Sequence, residues 1–150
     1  MKNLSIILFF VLATLAGLHA YWAFGGLWPA ESTLELIKTV IGAPNWTQMP
    51  SRQMTLTVAG LIFGAGLVAL AAGDVIHSIS QSTGARWIAR IAAALLALVF
   101  LGRGAAGYLV SKNDWARTEP FATYDLFLYS PISLAIGAAF VTLLFNSRPT

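Results

Sequence analysis

The sequence contains no cysteine and few charged residues. Asp, Glu, Lys and Arg make up 10% of its 150 residues, whereas 57% are hydrophobic. The absence of cysteine excludes disulfide frameworks, thiolate metal sites and thiol oxidoreductases. A charged fraction below half of the usual quarter cannot cover a water-soluble surface, so the composition predicts an integral membrane protein.

Motifs of several function classes are also absent. Lys and Arg form no cluster and the net charge of +3 is mild, so nucleic acid is not expected as a partner. The sequence has no nucleophile elbow, phosphate-binding loop or HExxH motif. Asp74 and His77 are spaced i, i+3 at the end of a hydrophobic run, but two metal ligands without a third are a weak signal. We therefore expect neither a metal nor a cofactor.

Four hydrophobic runs each approach the length that crosses a bilayer. About 20 helical residues at 1.5 Å each cover about 30 Å of hydrocarbon, and lipid cannot satisfy exposed backbone groups. The expected fold is therefore an all-α integral membrane bundle of four transmembrane helices, in a single domain over residues 1–150. The predicted spans are about 3–24, 54–74, 87–110 and 124–145.

The first run resembles a secretory signal, because Lys2 precedes it. A cleavage site needs small residues at both flanking positions, however, and Leu18 occupies one of them. We therefore expect an uncleaved first helix.

Gly60 and Gly64 in the second run form a small-xxx-small pattern, which predicts close helix packing inside the bundle. The same pattern is compatible with packing between two copies of the chain in a homo-oligomer.

The first loop contains the signals of a short amphipathic helix. Residues 32–35 read Ser-Thr-Leu-Glu and fit a capping box, and Leu34, Ile37 and Ile41 repeat at helical spacing. Residues 42–44, Gly-Ala-Pro, supply the stop. This helix is expected either to lie on the membrane surface or to cap the bundle.

Three ionisable residues lie where hydrocarbon is expected. At 1.5 Å per residue, His19, Arg103 and Asp125 lie roughly 0 to 10 Å below the same membrane interface. A buried arginine charge usually pairs with an acid, and Asp125 is the nearest in depth. Trp22 shares a helix face with His19, as Tyr129 does with Asp125. These five residues are the predicted ligand-binding site.

Each of these residues also has a structural alternative. Arg103 could extend to the headgroups or form a purely structural ion pair, and His19 could make an interhelical hydrogen bond. Trp22 could belong to the aromatic belt at the interface. Three ionisable residues at one depth are harder to explain by packing than any one of them alone, so a site is the favoured interpretation.

Pro131 predicts a local irregularity in the fourth span. Inside a helix it removes one backbone hydrogen bond and frees the carbonyl of Phe127. If Ser130 were instead an N-cap, the remaining helix would be only about 22 Å long, which is short for a span. We favour a kinked helix, with irregular backbone beside Asp125 and Tyr129.

Three motifs together resemble a known family. They are His19-x-x-Trp22-Ala23-Phe24-Gly25-Gly26, Gly102-Arg103-Gly104 and Pro120-Phe121-x-x-x-Asp125-x-x-x-Tyr129-Ser130-Pro131. The family is the small bacterial membrane family known as domain of unknown function 3995. The resemblance covers nearly the whole chain and implies four membrane helices and a bacterial origin, hence a multi-pass protein of the cell inner (plasma) membrane. It implies no activity.

Four spans place both termini on one side of the membrane. Basic residues are tied between the two sides, but Lys2 and the short linker with Arg86 and Arg90 favour a cytoplasmic location for both termini.

Three functions are compatible with these features. The leading hypothesis is a binding or transport-like protein, surrounded by membrane lipids, whose polar site near one membrane face accepts a small or amphiphilic, lipid-like molecule. An alternative is an integral membrane enzyme that uses His19 or Asp125 as general acid or base on a lipid-soluble substrate, with Arg103 stabilising negative charge. A third is a structural subunit of a membrane complex. A cavity at these side chains would favour the first two, and direct pairing with no space left would favour the third.

Overall fold

The computed structural model describes residues 1–43, 45–111 and 118–146, so the predicted stop at Pro44 lies outside the described residues. Within these ranges all regular structure is helical, as expected. The elements are α1 (Lys2–Ala23), α2 (Thr33–Val40), α3 (Arg52–Ala72), α4 (His77–Ser80), α5 (Thr83–Ser111), α6 (Phe121–Tyr124), a π-helical turn (Asp125–Tyr129) and α7 (Ser130–Asn146).

Four helices are long and apolar enough to cross a membrane: α1, α3, α5 and a fourth span over Phe121–Phe145 that joins α6, the π-helical turn and α7. The chain is therefore a multi-pass membrane protein with a four-helix bundle. The structure has α3 ending at Ala72, and α5 beginning at Thr83, ahead of the predicted third span.

The bundle consists of two closely packed helix pairs. Helix α1 packs along α3, and α5 packs along α7, whereas α1 and α7 contact each other much less. One apolar core joins the pairs, with Leu12 and Phe140 fully buried near its centre. Sparse contact between α1 and α7 leaves space between the pairs, which becomes important for the site.

Glycines bring α5 and α7 together. A Cβ at Gly104 would lie 2.6 Å from Leu134 Cγ, and one at Gly137 would lie 2.9 Å from the backbone nitrogen of Leu101. Gly60 and Gly64 do not have this role, since a Cβ at either would meet nothing within 4 Å. The predicted packing of that pair inside the bundle is therefore wrong: these glycines do not face a neighbouring helix of the chain.

Helix α2 caps the bundle and has the predicted N-terminal signals. The Ser32 hydroxyl accepts a hydrogen bond from the backbone N–H of Glu35 at 3.2 Å, and the Glu35 carboxylate accepts one from the N–H of Glu31 at 3.0 Å. Its buried apolar residues are Leu36 and Ile37. Leu34, which shares the helical spacing of Ile37, is 47% exposed.

The irregularity expected near Pro131 is a π-helical turn. Proline has no N–H, and its ring would press on the carbonyl four residues back in a regular α-helix. In the preceding turn the N–H of Ser130 instead donates to the carbonyl of Asp125, five residues back. The helix continues through Pro131, so the alternative of a separate helix starting at Ser130 is wrong.

Asp74 and His77 do not share a helix. Helix α3 ends at Ala72, Asp74 has a left-handed backbone with φ of 56°, and His77 begins the short helix α4. The helical i, i+3 relation assumed for this pair from the sequence is therefore wrong.

Candidate functional site

The centre of the site is an ion pair between α5 and the π-helical turn. Arg103 Nη2 donates to Asp125 Oδ1 at 2.7 Å. Asp125 also accepts hydrogen bonds from the hydroxyls of Ser111 at 2.8 Å and Ser130 at 3.2 Å. Asp125 is 2% exposed, whereas the Arg103 side chain is 43% exposed. Three donors compensate the carboxylate for its lost hydration, and Arg103 keeps part of its surface free.

The π-helical turn brings the Ser130 hydroxyl to Asp125. Side chains five residues apart point in well-separated directions on an α-helix, because each residue turns the chain by about 100°. A π-helical turn has more residues per turn than an α-helix, so the side chains of residues i and i+5 lie near each other on the same helix face. The proline that forces this turn is thus part of the site's construction.

Gly107 leaves the room that the ion pair occupies. A Cβ at this position would lie 2.5 Å from Arg103 Nη1 and 2.8 Å from Asp125 Oδ2, and it would also collide with the Ser130 hydroxyl. Gly107, Ser111 and Ser130 were not predicted as site residues. For two of them a signal was present, since Arg103, Gly107 and Ser111 follow one another at spacings of four on one helix face.

His19 and Trp22 form the wall contributed by α1. The two rings meet edge to face with centroids 5.1 Å apart. His19 Nδ1 lies 2.8 Å from the carbonyl of Leu15, so this nitrogen carries the proton and donates. The partner belongs to the same helix, so the interhelical hydrogen bond considered from the sequence is not the one that His19 makes.

Tyr129 links the fourth span to the cap of the bundle. Its hydroxyl donates to the carbonyl of Thr39, near the end of α2, at 3.0 Å. Its ring packs beside Phe121 and Tyr124, with centroids 5.8 and 6.1 Å away. Tyr129 therefore holds α2 over this end of the bundle.

A cavity of about 350 Å³ lies between the two helix pairs, and we call it the inter-pair cavity. Four of the five predicted site residues line it: His19, Trp22, Arg103 and Tyr129. Val40 of α2, Ser133 and apolar side chains of all four spans complete the lining. The fifth residue, Asp125, lies behind Arg103 and lines an adjacent, more open cleft of about 480 Å³.

A second cavity lies on the other side of the His19 and Trp22 rings. It has a volume of about 210 Å³ and extends to Met49 and Met54. Val40 lines this cavity as well as the inter-pair cavity. The two rings and the end of α2 therefore separate two adjoining spaces.

The model of the family "Protein of unknown function (DUF3995)" matches residues 12–140. The chain belongs to this family. All five predicted site residues lie inside the matched range, in agreement with the three motifs that suggested the resemblance. No curated protein and no solved structure matches the chain.

The residues around the inter-pair cavity include hydrogen-bonding groups and one positive charge. Arg103 has five N–H hydrogens, and its hydrogen bond to Asp125 uses one of them, on Nη2. His19 Nε2 can accept a hydrogen bond when the ring is neutral. Within residues 1–43, 45–111 and 118–146, no three His, Asp or Glu side chains come close enough to hold a metal ion.

Proposed function

We propose that this DUF3995 protein binds a small or amphiphilic molecule in the inter-pair cavity, near one membrane face. The observation that carries the proposal is the cavity itself, whose wall combines His19, Trp22, Arg103 and Tyr129 with apolar side chains. Its volume of about 350 Å³ lies within the range of ligand pockets, about 300 to 1,000 Å³. A largely apolar pocket with a few convergent polar groups is typical of sites for small molecules.

The structural alternative, and an enzyme that uses Asp125, have less support. In a purely structural ion pair, neighbouring side chains would pack around both partners and leave no space. The Arg103 side chain is instead 43% exposed and lines a cavity. An enzyme that uses Asp125 as a general acid or base needs that carboxyl within reach of a substrate. Asp125 is 2% exposed and accepts hydrogen bonds from three side chains, so it positions Arg103 instead.

We also infer that the protein resides in a bacterial inner membrane with both termini in the cytoplasm. Lys2 and Arg86 lie on the side of the termini, and basic residues favour the cytoplasmic side. His19 lies near the opposite end of α1. The inter-pair cavity would then open toward the periplasmic half of the membrane.

Replacing His19 tests the proposal. The probe is whatever small molecule native mass spectrometry finds on the wild-type protein purified in a mild detergent. We expect His19→Leu to reduce its occupancy at least tenfold, because the cavity loses a polar group, while the melting temperature changes little. The matched control is Thr14→Val, since the Thr14 hydroxyl also bonds a carbonyl of its own helix, that of Phe10 at 2.9 Å, but faces outward.

The control separates binding from stability. Both substitutions remove one side-chain hydrogen bond to the backbone of α1, so their effects on stability should be similar, about 1 kcal/mol or less. Equal occupancy in His19→Leu and Thr14→Val would contradict the proposed site. A wild-type protein that retains no molecule and binds none of the amphiphiles tested below would contradict it as well.

A further inference from the structure

An apolar groove continues the inter-pair cavity along the outside of the bundle. It has a volume of about 310 Å³ and runs between α1 and α7, and we call it the α1–α7 groove. Ile132 and Ile136 line both the groove and the inter-pair cavity, so the two spaces adjoin. The groove ends near Leu4, and the 15 residues from Leu4 to His19 correspond to about 22 Å along the helix axis.

The groove has the shape of a slot for one chain. Its lining consists of one stripe of each helix, spaced i, i+3, i+4 and i+7: Leu4, Ile7, Leu8 and Val11 on α1, and Ile132, Ala135, Ile136 and Ala139 on α7. Two parallel stripes enclose a single narrow path beside the helices. The two alanines keep the α7 side of this path shallow, so space remains where larger side chains would close it.

The two ends of this combined space differ in polarity. The groove lining is entirely aliphatic. The described residues that line the inter-pair cavity, by contrast, include the charged residue Arg103. Asp125 does not line that cavity, so its carboxylate adds no negative charge to the wall there.

An anion is the complement of this polar end. Asp125 holds the guanidinium through one Nη2 contact at 2.7 Å, which leaves four of its five N–H hydrogens, including the second on Nη2, to donate to another group. Arginine pairs with carboxylates and phosphates through two parallel N–H groups, and a guanidinium already held in place loses little entropy when it does so. A neutral headgroup would forgo the charge-assisted hydrogen bond.

We propose that the ligand is a single-chain amphiphile with an anionic headgroup, which lies on Arg103 while the acyl chain occupies the α1–α7 groove. This inference rests on the function proposed above and names the class of molecule that the same site takes. The open side of the groove faces the lipid, so such a molecule enters laterally from the bilayer with its headgroup already at the depth of Arg103.

Direct binding of four defined probes to the full-length protein in a neutral detergent tests the inference. The probes are hexadecanoate, monopalmitoyl phosphatidylglycerol, hexadecanol and dipalmitoyl phosphatidylglycerol. We expect at least one of the two single-chain anions to bind tenfold or more tightly than hexadecanol, because a hydrogen bond to a charged partner contributes that much. The stronger of the two identifies the source of the anion as a free fatty acid or a lysophospholipid. Dipalmitoyl phosphatidylglycerol should bind more weakly than either.

A matched pair of substitutions tests the position of the chain. Ala135 and Ala138 lie on the same turn of α7 and are both exposed, but of the two only Ala135 lines the groove. We expect Ala135→Phe to weaken binding of the preferred anion about tenfold and Ala138→Phe to leave it unchanged. Because both side chains point out of the core, both variants should fold.

Each contrary result has a distinct meaning. Equal binding of hexadecanol would overturn the anionic class, and tighter binding of dipalmitoyl phosphatidylglycerol would overturn the single chain. Equal affinities in Ala135→Phe and Ala138→Phe would overturn the position of the chain in the groove. In these three cases the proposed function is still supported if His19→Leu weakens the binding. Absence of binding by all four probes overturns this inference, and it overturns the proposed function as well if native mass spectrometry finds no retained molecule.

Discussion

Arg103 and Asp125 have unequal environments although they form one pair. Asp125 is almost fully buried and receives three side-chain donors, while the Arg103 side chain is 43% exposed and lines two cavities. Burying a charge is expensive unless it is paired and hydrogen-bonded. The carboxylate therefore holds the guanidinium, whose remaining N–H donors are not used by Asp125.

The coupling of this pair can be measured with a double-mutant cycle. We expect Arg103→Leu to lower the free energy of unfolding by about 3 kcal/mol, because Asp125 is left as a buried charge without its cation. The double variant Arg103→Leu, Asp125→Leu should lose less than the sum of the two single losses, by about 1 to 3 kcal/mol. Denaturation in detergent, followed by circular dichroism, provides the four values.

A distant residue provides the control for the cycle. Thr14 lies on the outer face of α1 and contacts neither partner. Arg103→Leu combined with Thr14→Val should therefore give additive losses within about 0.5 kcal/mol. Additive losses in the Arg103 and Asp125 cycle too would mean that the ion pair has no energetic role.

At the scale of the helices, the contact between α5 and the fourth span determines the site. Gly104 and Gly137 bring the two helices close, and Gly107 leaves the space in which the ion pair lies. The free backbone groups near Pro131 are rearranged in a π-helical turn that brings Ser130 to Asp125. Small residues, a proline and an ion pair thus act together in one interface.

Gly107→Ala and Gly102→Ala form a matched pair that tests this interface. A Cβ at Gly107 would collide with the ion pair, whereas one at Gly102 would meet nothing within 4 Å. Alanine is favoured over glycine inside a helix by about 1 kcal/mol, so Gly102→Ala should be neutral or slightly stabilising. Gly107→Ala should destabilise by about 1 to 3 kcal/mol, because the core is overpacked. Equal melting temperatures of the two variants would contradict the contacts described for Gly107.

The sequence contains enough information for the spans but not for their mutual contacts. Run length and polarity predict four membrane helices, and matched depth predicts the pairing of Arg103 with Asp125, because both depend on position along the chain alone. Ser111 shares a helix face with Arg103, but Ser130 could not be selected from position along the chain, since its role depends on the π-helical turn. Pro131 indicates that a backbone hydrogen bond is lost, but not that a π-helical turn replaces it.

At the scale of the whole molecule, the bundle has a polar end and an aliphatic side. His19, Arg103 and the start of the fourth span lie at the end opposite Lys2 and Asn146, under the cap formed by α2. The α1–α7 groove extends from this end toward the termini. The orientation of the chain in the membrane therefore decides from which leaflet a ligand reaches Arg103.

Reporter fusions determine that orientation. Basic residues near short loops favour the cytoplasm, so the side that carries Lys2 and Arg86 should be inside. We expect alkaline phosphatase to be inactive when fused to the C-terminus and active when fused after Ala30, in the loop that follows α1. Green fluorescent protein at the same two positions is the complementary control, since it should fluoresce at the C-terminus and stay dark after Ala30. The reverse pattern would place Arg103 and the inter-pair cavity in the cytoplasmic half of the membrane, and ligand would then arrive from the inner leaflet.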